Sequence, residues 1–178
     1  LSIRWIESAV NEYLNDLLKT NNEDYVVASD TDSIYVVFDK LVDKVFKEEQ
    51  DSSRVIPFLD TVAREKLEPF INKSYEDLHQ YVNSYEQKMQ MSREVIADKG
   101  IWTAKKRYIL NVHDNEGVKY KEPQLKIMGI EAVKSSTPEP CREKIKEGLK
   151  IIMNGTEKEL NTFIQDFREE FMTLSPED

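Results

Sequence analysis

The sequence predicts an α+β protein with mostly antiparallel strands. Helical and extended patterns fall in separated blocks rather than in strict alternation, the arrangement expected of α+β chains. Two apolar runs, residues 25–28 and 34–38, are joined by the polar stretch Ser29-Asp30-Thr31-Asp32-Ser33, which is a hairpin signal. A second turn, Asp114-Asn115-Glu116-Gly117, carries Gly at its last position and suits another hairpin.

Each element follows from its local pattern. Ile3, Ile6, Val10, Leu14, Leu17 and Leu18 fall on one stripe and predict a helix over residues 2–19, ended by Asn21-Asn22. The two strands around the acidic turn are apolar on both faces, which predicts burial in the middle of a sheet. Residues 39–48 read as a short helix and 50–53 as a polar loop. Phe58, Val62, Leu67, Phe70, Ile71, Leu78 and Val82 extend a helical pattern from about 55 to 88; Pro57 suits its start, and Pro69 predicts a kink or break. The pattern then becomes extended. Residues 91–97 and 101–112 read as strands, the second returning through the 114–117 turn into Val118 and Tyr120, and 125–130 reads as one more short extended piece. Ser135-Ser136-Thr137-Pro138 predicts the cap of a helix that runs to about Met153 and is broken by Asn154-Gly155. Thr156 and Glu159 stand at capping-box spacing ahead of a last amphipathic helix over 156–172. The change from strands to helices predicts a boundary near 129–137.

Composition bounds the function. At 178 residues the chain is one domain, or one domain with a piece of another. Its 8 Tyr, 7 Phe and 2 Trp supply core volume, which argues against wholesale disorder. No run of 18 apolar residues exists, so no membrane-spanning helix and no membrane partner are expected, and the absence of a basic-then-apolar leader predicts no signal peptide. The one cysteine, Cys141, excludes a disulfide framework and a multi-Cys zinc site, and fits a reducing compartment such as the cytoplasm. His79 and His113 lie far apart in sequence, so a metal is expected on oxygen ligands. Asn72-Lys73-Ser74 and Asn154-Gly155-Thr156 match the glycosylation pattern but, without a secretory signal, read as accidents.

Charge is unevenly spread. The net charge is −9, yet residues 99–134 hold eight cations against four acids, a local +4, while the remainder is −13. A basic island in an acidic chain marks a candidate anion-binding surface, with a solvated strand face as the plain alternative. Within it, Lys105-Lys106-Arg107-Tyr108 sets three cations beside an aromatic, a combination that can hold phosphates and touch bases. Lys126 and Lys134 bracket Met128-Gly129-Ile130-Glu131. Asp30 and Asp32, two residues apart on a tight turn, repel one another, and a divalent cation would relieve them. Mg²⁺ prefers one or two carboxylates plus substrate phosphates, although an Asp-x-Asp pair is equally compatible with an ordinary Asx turn. An EF-hand loop is excluded, because its sixth position would be Tyr35 rather than Gly, and no Walker-type glycine loop is present. Glu94, flanked by apolar strand residues, is a further candidate, or else an edge charge paired with Arg93.

Taken in order, residues 26–36 around the Asp-Thr-Asp-Ser turn, Ser92-Arg93-Glu94, Lys105-Lys106-Arg107-Tyr108, residues 125–131 and Lys134-Ser135-Ser136-Thr137-Pro138 resemble family B DNA polymerases, in particular the replicative polymerases of T-even-type bacteriophages. The resemblance covers nearly the whole chain. It implies a mostly antiparallel palm-type sheet with packed helices, followed by a helical thumb portion: residues 1–129 as the second half of a palm domain and 130–178 as the start of a thumb. It implies that Asp32 is the catalytic, metal-binding carboxylate, that Asp30 is its less essential neighbour, and that Glu94 belongs to the acidic floor of the active site. Lys106 and Tyr108 would contact the primer-template, with Lys105 and Arg107 beside them, joined by Lys126; Lys134 would meet the DNA backbone at the base of the thumb. The chain departs from the family pattern with Ser29 where Gly is usual, Ser92 where an acid is frequent, and a shorter segment between Ala97 and Trp102.

The resemblance also implies what must come from elsewhere: the family's first-motif Asp, the fingers helix with its nucleotide-binding Lys, and the exonuclease. Two Mg²⁺ ions would be shared with those residues. Leu1 opens inside a helical pattern, so the chain reads as a fragment or as one subunit of a split polymerase. Its expected partners are primer-template DNA, a deoxynucleoside triphosphate and the remaining polymerase domains or a complementary subunit; alone it is expected to be inactive. A phage-encoded chain would work in the host cytoplasm. Two other readings stay open. One is a catalytically inactive DNA-binding or replication-complex interaction module. The other is a nucleotide-sugar transferase with a metal on Asp30-Thr31-Asp32, which predicts a parallel Rossmann-like sheet and gives Lys105 to Tyr108 no role.

Overall fold

A computed structural model of the chain describes residues 1–47 and 51–173. The end of the helix expected over 39–48, the start of the loop expected at 50–53 and the last five residues of the expected thumb portion lie outside the described residues. The chain forms two compact units, Leu1–Ile96 with Asp114–Lys119, and Ala97–His113 with Tyr120–Asp178. The fold is α+β with antiparallel sheets, as expected.

The first unit is organised around helix α1 (Ser2–Leu18), whose Ile6, Val10, Leu14 and Leu18 are buried. These pack with Leu67, Ile71, Tyr75 and Leu78 and with Tyr25 and Val26 in one core cluster. Leu17, placed on the same stripe by its spacing, is instead half exposed. The helix ends at Lys19, which takes a left-handed conformation, two residues ahead of Asn21.

Strands β1 (Val26–Ser29) and β2 (Ile34–Val36) form the expected antiparallel hairpin. The expectation that it lies in the middle of a sheet is corrected. Among the described residues it is a two-stranded sheet, and Val27 is 49 % exposed. The physical reason is a bulge: Val26 pairs with Val36 but Ala28 already pairs with Tyr35, so Val27 is the extra residue. Val26 is buried in the core cluster, and Ile34 and Val36 pack against it partly buried.

Helix α2 (Asp39–Phe46) is followed by α3 (Ser52–Val62), which starts earlier than its pattern indicates because Asp51 caps it, its carboxylate accepting the Ser53 N–H at 2.9 Å and the Ser53 hydroxyl at 2.7 Å. Pro57 therefore sits inside the helix rather than at its start. The expected break at Pro69 is a π-helical turn over Ala63–Leu67, in which the Glu68 N–H reaches back five residues to the Ala63 carbonyl. Pro69 has no N–H to donate and its ring needs room, and the wider turn supplies it. Helix α4 (Glu68–Val82) ends at the left-handed Asn83, short of the expected 88.

The strands differ from expectation: the piece expected over 91–97 is a strand only from Val95, and the one expected at 125–130 is the end of a longer strand that begins at Val118. Residues 101–112 are not one strand. Strand β3 (Val95–Ala104) turns at Lys105-Lys106, with Lys106 at φ 61, into β4 (Arg107–Asn115). The mixed pattern of this segment is two patterns in series: partly exposed residues at the end of β3, then five consecutive buried residues, Tyr108 to Val112, in β4. A two-residue turn at Glu116 (φ 51) and Gly117 (φ 90) then leads to β5 (Val118–Met128). Positive φ at both positions is the geometry of the favoured hairpin turn. The sheet order is β3-β4-β5, so the buried strand is central.

In the second unit, β5 leads through a 3₁₀ turn (Glu131–Val133) to α5 (Glu139–Asn154) and α6 (Glu157–Thr173). Pro138 is the N-cap of α5 and no side chain caps it, so the expected Ser/Thr cap is absent. The capping box of α6 is present: the Thr156 N–H donates to Glu159 Oε2 at 2.7 Å, and the Glu159 N–H to Thr156 Oγ1 at 3.3 Å. Asn111, 1 % exposed, donates to Asp98 Oδ1 at 2.8 Å and Asn154 Oδ1 at 3.3 Å, fastening the end of α5 to the strands of its own unit.

Candidate functional site

The acidic turn is held from below by helix α1. Asn11 Oδ1 accepts the Tyr25 N–H at 2.8 Å and the Val26 N–H at 3.0 Å. Glu7 Oε2 accepts the hydroxyl of Ser29 at 3.2 Å, so the residue standing where the family pattern has Gly makes its own tie to the helix. The Asp30 N–H bonds to the Ser33 carbonyl at 2.9 Å and closes the turn. Asp30 is half-buried, and its Oδ1 accepts the Thr31 N–H at 2.8 Å. Asp32 is exposed at the tip. The two carboxylates thus differ: one is engaged in shaping the turn, while the other faces outward. Both offer hard oxygen donors suited to Mg²⁺, and as two donors they fit part of a site. Among the described residues no group of three or more His, Cys, Asp or Glu side chains is arranged to hold a metal ion.

Glu94 is exposed and lines an open cleft of about 570 Å³, with Arg64, Glu68, Ser92, Arg93 and Glu116 around it. Arg93 does not serve chiefly as its ion-pair partner. The Arg93 guanidinium, 8 % exposed, bonds to Asp114 and to Asp60, while its backbone N–H donates to Glu68 Oε1 at 2.8 Å. Burial opposes the charge on Arg93, but the hydrogen bonds it donates to Asp60 and Asp114 outweigh this and hold the guanidinium above its usual pKa. Asp114, 1 % exposed, also accepts the Gly117 N–H at 2.9 Å, and the Glu116 N–H donates to the Glu94 carbonyl at 2.6 Å. The β4–β5 turn and the Glu94 backbone are thereby fixed together.

In the second unit, Lys105 and Lys106 are exposed on the β3–β4 turn, which Thr103 braces by donating its hydroxyl to the Arg107 carbonyl at 3.2 Å. Arg107 and Lys126 are half-buried, and Lys134 is exposed. Tyr108 is 8 % exposed, its ring 6.3 Å from that of Trp102, so it is mainly a core residue. Arg107 and Lys134 are brought together by Glu131, a residue without a role in the sequence reading. Arg107 Nη2 donates to both Glu131 oxygens at 2.8 Å, and Lys134 Nζ to Oε1 at 2.9 Å. The hydrogen bond from Lys134, with Arg107 nearby, lowers the Glu131 pKa to about 2.

The predicted residues therefore form two constellations. Asp30, Asp32 and Glu94 belong to the first unit; Lys105, Lys106, Arg107, Tyr108, Lys126 and Lys134 belong to the second. Sequence reasoning missed Glu7, Asp60, Asp114 and Glu131. The first three act at sequence separations of 21 to 33, where no local pattern signals them. Glu131 lies three residues before Lys134, and that spacing alone could have suggested the pair. No helix of the described residues is long and apolar enough to cross a membrane.

No protein-family model matches the chain. Individual proteins do. The chain is 40 % identical to the DNA-directed DNA polymerase of Enterobacteria phage T4 over 186 aligned residues, 98 % of the chain and 20 % of that polymerase. It is 47 % identical to the DNA-directed DNA polymerase of Escherichia phage RB69 over 156 residues, 83 % of the chain and 17 % of that polymerase. It thus spans about a fifth of the length of these curated relatives. Over most of its length the chain thus matches one segment of these T-even-type phage DNA polymerases.

Proposed function

We propose that this chain is the part of a template-directed DNA polymerase that carries one metal-binding carboxylate pair and the grip on the primer-template. The observation that carries this reading is the Asp30-Thr31-Asp32 turn, braced by α1 and presenting Asp32 outward, in a chain similar to phage polymerases. On this reading residues 1–129 are the second half of the palm and 130–178 the start of the thumb.

Asp32 is the ligand of the bound metals, Asp30 its secondary partner, and Glu94 part of the acidic floor beside them. Asp32 and Asp30 would hold divalent cations together with ligands from elsewhere in the polymerase, and such cations would supply charge neutralisation at the phosphoryl oxygens and favour ionisation of the primer 3′-hydroxyl. The primer oxygen bonds to the α-phosphorus of the triphosphate, pyrophosphate leaves, and the hydroxyl proton is released. This chain's own contribution is positional: α1 sets the height of the turn, and Lys105, Lys106, Arg107, Tyr108, Lys126 and Lys134 hold the primer-template, the lysines and arginine on phosphates and the tyrosine through its packing in β4. The triphosphate and the remaining ligands are met by other parts of the polymerase, so the isolated chain does not extend a primer.

The antiparallel sheets deprive the sugar-transferase reading of the parallel sheet it requires. An inactive DNA-binding module differs in one respect: Asp30 and Asp32 would then be dispensable.

Duplex binding tests the grip. Binding of a primer-template by the chain should be weak and steeply salt-dependent, because cations that neutralise phosphates release counterions. Replacing Lys105, Lys106 and Arg107 together by Ala should flatten the slope of log K against log salt by about 0.9 for each phosphate no longer neutralised. Fluorescence anisotropy at several salt concentrations reads this directly, and an unchanged slope would mean that the basic island is only a solvated face.

A further inference from the structure

Glu131 stands where a ligand of the basic face would stand. Its two oxygens form a fork on Arg107 Nη2, both at 2.8 Å, and one of them also meets Lys134 Nζ at 2.9 Å. A phosphodiester offers the same fork with its two free oxygens. All three side chains are open to solvent, Arg107 at 42 %, Lys134 at 45 % and Glu131 at 49 %, so an incoming anion can reach them.

The backbone delivers Glu131 to this position. Gly129 has φ +66 and lies so close to the β3–β4 turn that a Cβ there would strike the Lys106 carbonyl oxygen. Two residues on, the 3₁₀ turn is seated by Ala132, which is fully buried. Because Lys134 and Arg107 lower its pKa, Glu131 keeps its charge at any pH used for binding.

An exposed trio of this kind adds little to stability. Its consequence falls on binding. We propose that Glu131 is a resident phosphate mimic: it occupies the anion site formed by Arg107 and Lys134 and is displaced when a DNA phosphate binds there. The inference rests on the reading of Arg107 and Lys134 as duplex-facing residues. Each encounter exchanges one ion pair for another, so the face holds duplex less tightly than its cations alone would. That lowers the barrier to release at every step along the helix.

The test compares primer-template binding by the full chain and by Glu131→Gln, Glu131→Ala, Arg107→Ala, Lys134→Ala and Glu122→Gln, with circular dichroism to verify folding. Removing one opposing charge at hydrogen-bonding distance should tighten duplex binding about fivefold at low salt. The salt slope should steepen by about 0.9. Glu131→Ala should move in the same direction, whereas Glu122→Gln, which changes the net charge equally on exposed β5, should have a smaller effect. Binding by Glu131→Gln that is unchanged or weaker, or matched by Glu122→Gln, overturns the mimic while leaving the duplex reading intact, provided Arg107→Ala and Lys134→Ala weaken binding. If neither of those two weakens it, the duplex reading of this face fails and the mimic fails with it.

Discussion

Replacing Asp32 by Ala in a polymerase that contains this segment should abolish measurable nucleotide incorporation, a loss of at least about 10³-fold, or about 4 kcal/mol of transition-state stabilisation. The structure makes the result interpretable. Asp32 is exposed at the tip of its turn, and substitutions at such positions usually shift stability by no more than about 0.5 kcal/mol. A folded, inactive variant would therefore report on chemistry. Asp30→Ala should behave in the opposite sense. Its rate loss should be smaller, but it removes the carboxylate that accepts the Thr31 N–H, so stability should fall by about 0.5–1.5 kcal/mol. Primer extension paired with thermal melts separates the two effects. An active Asp32→Ala polymerase would remove the catalytic reading and favour an inactive binding module.

The second large effect concerns Arg93. Arg93→Met should destabilise the first unit by about 3–5 kcal/mol, the scale for removing one partner of a buried ion pair. The side chains of Arg93 and Asp114 are 8 % and 1 % exposed, so the substitution leaves the Asp114 carboxylate buried beside a thioether. The methionine fills much the same volume, which isolates the charge from the packing. Adding Asp114→Leu should recover much of the loss, since apolar replacement of a whole buried pair is often neutral or better. Urea unfolding of the two variants measures both numbers. A loss below about 1 kcal/mol for Arg93→Met would mean that water reaches the pair and screens it.

Local chemistry was legible in the sequence. The stripe on α1, the acidic hairpin, the presence of a hairpin turn next to Gly117 and the capping box of α6 are each written within a few neighbouring residues. Three features were not. The chain reverses at Lys105-Lys106 without Gly, Pro, Asn or Asp, so the two strands merge into one pattern. The apolar composition of the first hairpin overstates its burial, because composition records what a strand can bury and not whether a neighbour is present to cover it. The Arg93 cluster joins α3, the segment just before β3 and the end of β4, and such long-range pairings leave no periodic trace. At the candidate site the order of motifs identified which residues matter, but the structure alone separates Asp30 from Asp32 and pairs Arg107 with Glu131.

Gly129 changes the meaning of a common stabilising substitution. Gly→Ala in a loop usually helps by about 0.4–1 kcal/mol, because it narrows the range of conformations open to the unfolded chain. At 129 the sign reverses twice over: the backbone is left-handed, and the added carbon would strike the Lys106 carbonyl. The separation between the Lys105-Lys106 tip and the Glu131 carboxylate is therefore fixed by an atom that is missing rather than by one that is present. A mutational scan would register this position as intolerant although it bears no charge and has no side chain with which to bond, so intolerance there would report on spacing rather than on chemistry.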